Sequence, residues 1–179
     1  MKIYLYNVDD DYIQYLRQFD SRVSDNKIGK RKKTRKYIGA LMLINGCKYF
    51  APLSSPKTKD YDDNGEIRKD PIFLTRIVTI NEDGKKELKA RIMLGNMIPV
   101  SDVALTKYNP NDEEDLRYRD LIIKELDFIT KNRKELITKA TIIYNQKTGK
   151  YKKTPNSKYL DCVVDFALLE EKAKSYRND

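Results

Sequence analysis

The dipeptide Asn45-Gly46 stands between two apolar runs, Lys36 to Ile44 and Cys47 to Leu53. A two-residue type I′ hairpin turn needs positive φ at both central positions, and Asn-Gly is the pair that tolerates it best. The two runs are therefore predicted as antiparallel neighbours. Ile72 to Ile80 and Glu87 to Leu94 form a second pair, closed through Asn81-Glu82-Asp83-Gly84. Ile3 to Val8 alternates as a strand does, and Met97 to Val100 adds a short one. Hairpins dominate and no βαβ repeat occurs, so the fold class is α+β with antiparallel strands. The architecture expected is a small, strongly bent sheet or open barrel with helices packed outside. With no internal repeat and no linker, residues 1–179 read as one domain.

Acidic residues mark where helices begin. Asp9 to Asp11 offer caps for a helix from about Asp10 to Phe19, with Tyr12, Ile13, Leu16 and Phe19 on its apolar face. Asp112-Glu113-Glu114 opens a helical region whose Leu116, Leu121, Ile122, Leu126 and Ile129 recur at helical spacing. A second helix is predicted over 133–146. Asp165 caps a last one over 166–176, with Leu168 and Leu169 inward. Residues 20–35 read as a polar, basic loop.

The composition removes whole classes of chemistry. The chain has no histidine. That excludes Ser-His-Asp and Cys-His catalysis, His-metal sites and the two-histidine ribonuclease mechanism. Cys47 and Cys162 lie far apart with no CxxC pair, so they read as buried free thiols rather than a zinc site or disulfide framework. The acidic clusters sit at helix starts, where capping explains them, so no metal and no cofactor is expected. No stretch approaches the roughly 18 apolar residues of a bilayer span. Asp9-Asp10-Asp11 follows Met1 to Val8 without a signal-peptide core, and the expectation is a cytoplasmic protein.

Charge then singles out one region. Residues 21–60 hold 11 Lys and Arg against only Asp25 and Asp60, which accounts for the chain's net charge of +9. A local excess of this kind fits a polyanion docking on one region. It also fits a solvated basic loop with no partner. The run contains Lys30, Arg31, Lys32, Lys33, Arg35 and Lys36, and a second basic loop carries Lys150, Lys152 and Lys153.

The most specific local feature is Ser54-Ser55-Pro56-Lys57, at the end of a buried-looking strand. Pro56 restricts the backbone of Ser55. Two hydroxyls and an ammonium on a stiff turn suit a phosphate, although Ser and Pro are also ordinary turn formers. Tyr12 is a further candidate donor or base-stacking group, one of 13 tyrosines.

The segment Lys48 to Lys57, with its Pro52-Leu53-Ser54-Ser55-Pro56-Lys57 turn, resembles the ToxN/AbiQ family of type III toxin–antitoxin endoribonucleases. So do the Tyr12-Ile13-xx-Leu16 helix with Phe19-Asp20 and Val23, and Tyr37-Ile38-Gly39 with its Asn45-Gly46 turn. Asn96 to Val100 and Asp165-Phe166 leading to Leu169-Glu170-Glu171-Lys172 extend the likeness over nearly the whole chain. The resemblance implies a small barrel similar to the MazF/Kid toxins, metal-independent RNA cleavage and a role in abortive infection against bacteriophage. It implies inhibition by a small, pseudoknot-like RNA made from tandem repeats, in a closed protein–RNA assembly. It places the active site at Tyr12, Arg35, Ser54, Ser55 and Lys57. Where the family often has lysine ahead of the Tyr-Ile-Gly strand, this chain has Arg35 beside Lys36, and Arg31 replaces a family tyrosine.

Elementary phosphate chemistry agrees. RNA is cut when its 2′-hydroxyl attacks the adjacent phosphorus, leaving a 2′,3′-cyclic phosphate and a 5′-hydroxyl. The protein has only to align, stabilise charge and move protons. Ser54 and Ser55 are expected to bond the 2′-hydroxyl and phosphate, Arg35 and Lys57 to neutralise charge, and Tyr12 to donate to an oxygen. The rival reading is a non-catalytic protein that holds a structured RNA on the same basic surface.

Overall fold

A computed structural model describes residues 4–26, 35–151 and 157–176. Seven strands form one antiparallel sheet: β1 (Tyr4–Val8), β2 (Lys36–Ile44), β3 (Cys47–Ser54), β4 (Thr75–Ile80), β5 (Lys86–Ile92), β6 (Ile98–Pro99) and β7 (Leu105–Tyr108). Their order is β4-β5-β3-β2-β1-β7, with β6 also paired to β3. The helices are α1 (Asp10–Arg17), α2 (Leu116–Lys131), α3 (Arg133–Lys147) and α4 (Phe166–Ser175).

The predicted hairpin forms as its turn chemistry requires. Asn45 and Gly46 take φ of 52° and 76°. β3 runs one residue further than expected, because Ser54 pairs with Arg91 of β5. Along its length β3 changes neighbour: Tyr49 and Phe50 pair with β6, and Leu53 and Ser54 with β5. That switch, with register shifts in β2–β3 and β4–β5, bends the sheet. In β2 the Phe50 ring fills the space a side chain would need at Gly39.

Asp9, Asp115 and Asp165 cap α1, α2 and α4 through their carboxylates. Because Asp115 and not the Asp112–Glu114 cluster is the cap of α2, Leu116 falls in the first turn and is 60% exposed. Phe19, expected on the apolar face of α1, lies beyond its end and is exposed. Cys47 is a buried free thiol, but Cys162 is an exposed one. Strand β7 was not predicted. Its ladder to β1 joins Leu5 to Tyr108.

The core gathers Leu5, Tyr37, Ile38, Phe50, Ile77 and Ile92 of the strands with Ile13, Ile129, Leu136, Ile143, Phe166 and Leu169 of the helices. Helix α3 packs on β2, α4 on β6, and α2 on β4 and β5. At the hairpin end of the sheet, Glu170 of α4 accepts hydrogen bonds from Tyr49 Oη (2.6 Å), Tyr144 Oη (2.8 Å) and Asn45 Nδ2 (2.9 Å). Burial by itself raises this carboxyl, but the donors outweigh it and hold it below the ordinary value.

Candidate functional site

Ser54 is the last residue of β3, half-buried, and Ser55, Pro56 and Lys57 follow as an exposed turn. The turn is clamped from behind. Asp60, 1% exposed, accepts from the Lys57 backbone N–H at 2.7 Å. Arg91, opposite Ser54 in the ladder, donates from Nη2 to Ser54 Oγ at 2.9 Å and from Nε to the Ser55 carbonyl at 3.0 Å.

Asp60 also holds two buried guanidiniums. Arg76 and Arg91 are direct cross-strand partners, a pairing that like charges destabilise. The Asp60 carboxylate bridges them, 2.9 Å from Arg76 Nη2 and 3.3 Å from Arg91 Nε. Asp70 neutralises the other side of Arg76 at 3.2 Å. Burial pulls the Arg91 guanidinium below its ordinary value and Asp60 pushes it back, so Arg91 remains a cation.

In front of the turn lies a cleft of about 140 Å³. Arg35 and Lys36 from β2, Ser54 and Ser55 from the turn, Lys89 from β5, and Tyr118 and Glu125 from α2 line it. Arg35 Nη1 donates to the Leu53 carbonyl at 2.6 Å and Nε to the Asp25 carbonyl at 3.1 Å, which pins the guanidinium beside Ser54. Lys36 Nζ donates to Asn7 Oδ1 at 2.7 Å and lies 4.1 Å from the centre of the Tyr108 ring. Both basic residues ahead of the Tyr-Ile-Gly strand therefore reach the cleft. Three cations and two hydroxyls around one open space are suited to a phosphodiester.

Glu125 stands apart from this cationic set. It is 4% exposed, and desolvation pushes its carboxyl up to about 7.

The structure does not bring every predicted residue together. Tyr12 is fully buried, donates its hydroxyl to the Pro99 carbonyl at 2.7 Å, and meets the Tyr176 ring edge-on. It does not line the cleft, so the expected donation to a phosphate is corrected to a core hydrogen bond. Lys57 sits on the exposed side of its turn, next to the cleft rather than in its wall. Lys150 is exposed just beyond α3, 5.2 Å from the centre of the Tyr144 ring, and does not line the cleft. Lys30, Arg31, Lys32, Lys33, Lys152 and Lys153 lie outside the described residues.

Six residues of the site were not anticipated: Arg91, Asp60, Arg76, Lys89, Tyr118 and Glu125. A weak signal exists for one of them: Glu125 falls between Ile122 and Ile129 on the apolar stripe of α2, whereas Lys89 and Arg91 simply alternate with Leu88, Ala90 and Ile92.

The sequence profile of a family described as "Toxin ToxN, type III toxin-antitoxin system" matches residues 4–174. An endoribonuclease ToxN of Bacillus thuringiensis subsp. kurstaki is 29% identical over 175 residues, 96% of this chain and 83% of that protein. An endoribonuclease AbiQ of Lactococcus lactis subsp. lactis is 28% identical over 176 residues, 98% of this chain and 90% of that one. A solved structure described as selective toxin inhibition by a non-coding RNA pseudoknot superimposes over 100% of both chains. Its TM-score is 0.82 at 27% identity. A structure of AbiQ, described as a lactococcal anti-phage endoribonuclease, covers 98% of both chains with a TM-score of 0.75 at 26% identity.

Proposed function

The chain belongs to the ToxN family of type III toxin–antitoxin toxins, and from that membership we propose how its cleft cuts RNA. It is an endoribonuclease toxin of an anti-phage system, and its inhibitory partner is a non-coding repeat RNA with a pseudoknot fold. The observation that carries the mechanism is the cleft itself: Ser54 and Ser55 fixed by Arg91, facing Arg35, Lys36 and Lys89.

The scissile phosphate lies against Arg35 and the two serines. Ser54 Oγ already accepts from Arg91, so its own proton is free to point at the phosphate or the 2′-hydroxyl. Ser55 supplies the second hydroxyl. Lys57, at the rim, neutralises charge and gives a proton to the departing 5′-oxygen. The 2′-oxygen is the nucleophile, so no covalent protein intermediate forms. The products are a 2′,3′-cyclic phosphate and a 5′-hydroxyl, and no metal takes part.

Among the described residues no helix is long and apolar enough to cross a membrane. A cellular RNA substrate puts the work in the cytoplasm. The repeat RNA contacts the basic stretch around Lys30 to Lys36 and occupies the substrate's cleft, in a closed assembly of protein and RNA. The concentration of the net charge in residues 21–60 supports this placement.

The test is cleavage of an RNA transcript in EDTA with end-group analysis. Cyclic phosphates and 5′-hydroxyls are expected. Cleavage that stops in EDTA and returns with magnesium would overturn the mechanism. Ser55→Ala and Lys57→Ala should each lower the rate by roughly 10²–10³, with circular dichroism unchanged and repeat-RNA binding largely intact.

A further inference from the structure

Cleavage through a 2′-hydroxyl needs a group that takes a proton near neutral pH, and this chain has no histidine to do it. Tyrosine does not fill the gap. The buried phenols of Tyr12, Tyr49 and Tyr144 are all pushed up by desolvation, away from neutrality. Burial pushes the Cys47 thiol up as well. The cleft's own cations are engaged elsewhere: Arg35 with the Leu53 and Asp25 carbonyls, Lys36 with Asn7, Lys89 with Glu87 at 2.5 Å.

Glu125 is differently placed. It comes from the middle of α2, on the same stripe as Ile122 and Ile129, and lines the cleft with Ser54 and Ser55. Among the described residues no donor and no cation bonds its carboxyl. Several charges on the elements that pack against α2 have partners of their own. On β4, Arg76 is taken by Asp60 and Asp70. On α3, Lys139 is paired with Glu135 and bonded to Thr75. On the turn before α2, Asp112 accepts from Asn109. Tyr118, on α2 itself, shares the cleft wall. Yet among the described residues no side-chain oxygen sealed from solvent lacks a partner. An unbonded carboxyl that is 96% covered but not sealed keeps its sliver of exposure on the cleft. A leucine or glutamine on this stripe would pack without the cost of burying an ionisable group.

We propose that the Glu125 carboxylate is the proton acceptor of RNA cleavage, taking the 2′-hydroxyl proton of the nucleotide seated against Ser54 and Ser55. The inference rests on the cleft assignment made above. In the step, the 2′-oxygen bonds to phosphorus as its proton passes to Glu125. The bond from phosphorus to the 5′-oxygen breaks, and that oxygen takes a proton from the Lys57 ammonium. The cyclic phosphate and the 5′-hydroxyl leave. Water then carries the proton from the Glu125 carboxylic acid back to the Lys57 amine, so the enzyme is restored with no other reagent consumed. Desolvation that holds the carboxyl at about 7 makes it a stronger base than a surface glutamate and leaves a usable fraction ionised in the cell.

The experiment is a pH–rate profile of wild type and Glu125→Gln on one RNA in EDTA, with binding of the same RNA made uncleavable by a 2′-deoxy substitution at the cut. In wild type, kcat/KM should rise about tenfold per pH unit below about 7 and then level off. Glu125→Gln should lose about 10²–10⁴ in rate and lose this acidic limb while binding the deoxy RNA as before. Glu125→Asp, which keeps a carboxyl, should keep the limb at a reduced rate. A wild-type profile flat between about pH 5 and 8 overturns the proposal whatever the variants do. So does a Glu125→Gln enzyme that keeps both rate and limb, or one that cuts at a different sequence with the limb intact, which would make Glu125 a reader of bases. A wild-type enzyme that makes no cyclic phosphate overturns the cleft mechanism itself, and that failure is seen before any variant is compared.

Discussion

Glu170 and Glu125 are the same residue type in almost the same burial, 7% and 4% exposed, and the fold treats them in opposite ways. Glu170 sits at the hairpin end of the sheet with Tyr49, Tyr144 and Asn45 all donating to it, and its carboxyl is held down as an anion. Glu125 sits at the cleft with no donor among the described residues, and its carboxyl is pushed up to about 7. Burial is therefore not what decides a carboxylate's state here; the supply of hydrogen bonds is. One site spends three polar groups to fix a charge and anchor α4 to β3 and α3. The other leaves a charge unsupported, which costs stability and leaves a reactive group.

The comparison breaks most visibly at the supported site. Glu170→Ala strands the buried Tyr49 and Tyr144 hydroxyls and should cost about 4 kcal/mol in urea unfolding. Activity per folded molecule should hold, since the site is remote from the cleft. Next comes the reverse effect at the unsupported site. With a folded value near 7 against 4.5 unfolded, ionising Glu125 costs up to about 3 kcal/mol above neutral pH. Glu125→Gln should therefore be more stable than wild type by about that amount at pH 8, and the gain should fade as pH drops toward 4.5. The sign is opposite for Glu170. Its depressed value means its contribution is present above the unfolded value and is lost as pH falls through the folded one, so Glu170→Gln should hurt least in acid. A stability gap between Glu125→Gln and wild type that does not change with pH would remove the contrast. The smallest effect sharpens it. Tyr49→Phe takes one donor from Glu170 and should cost about 2 kcal/mol.

What the sequence disclosed followed the range of each interaction. Asn45-Gly46 was readable because a positive φ is a local demand. Asp9 and Asp165 were readable because a cap reaches only two or three residues on. The Ser54–Lys57 turn was readable because Pro56 constrains its own neighbour. Strand β7 was not: its residues are exposed or half-buried, and its ladder to β1 spans more than half of the chain. Arg91, Asp60 and Arg76 looked like surface charges until cross-strand pairing put them behind the turn. Tyr12 misled for the same reason in reverse. Its hydroxyl partner, the Pro99 carbonyl, is 87 positions away. Glu125 was legible only as a break in the apolar stripe of α2, because nothing local says what its carboxyl meets.

The change of neighbour along β3 also sets the order in which this enzyme becomes dangerous to the cell that makes it. The first hairpin leaves the ribosome early and closes by local contacts alone. Its last two residues have no strand partner until β5 arrives, since Leu53 and Ser54 pair with Ile92 and Arg91. Arg91 follows Ser54 by 37 positions, and α2, which carries the far wall of the cleft, comes later still. A growing chain therefore carries its serine turn loose and unbacked for much of its synthesis. The cutting edge is assembled from parts that meet only when most of the protein has been made.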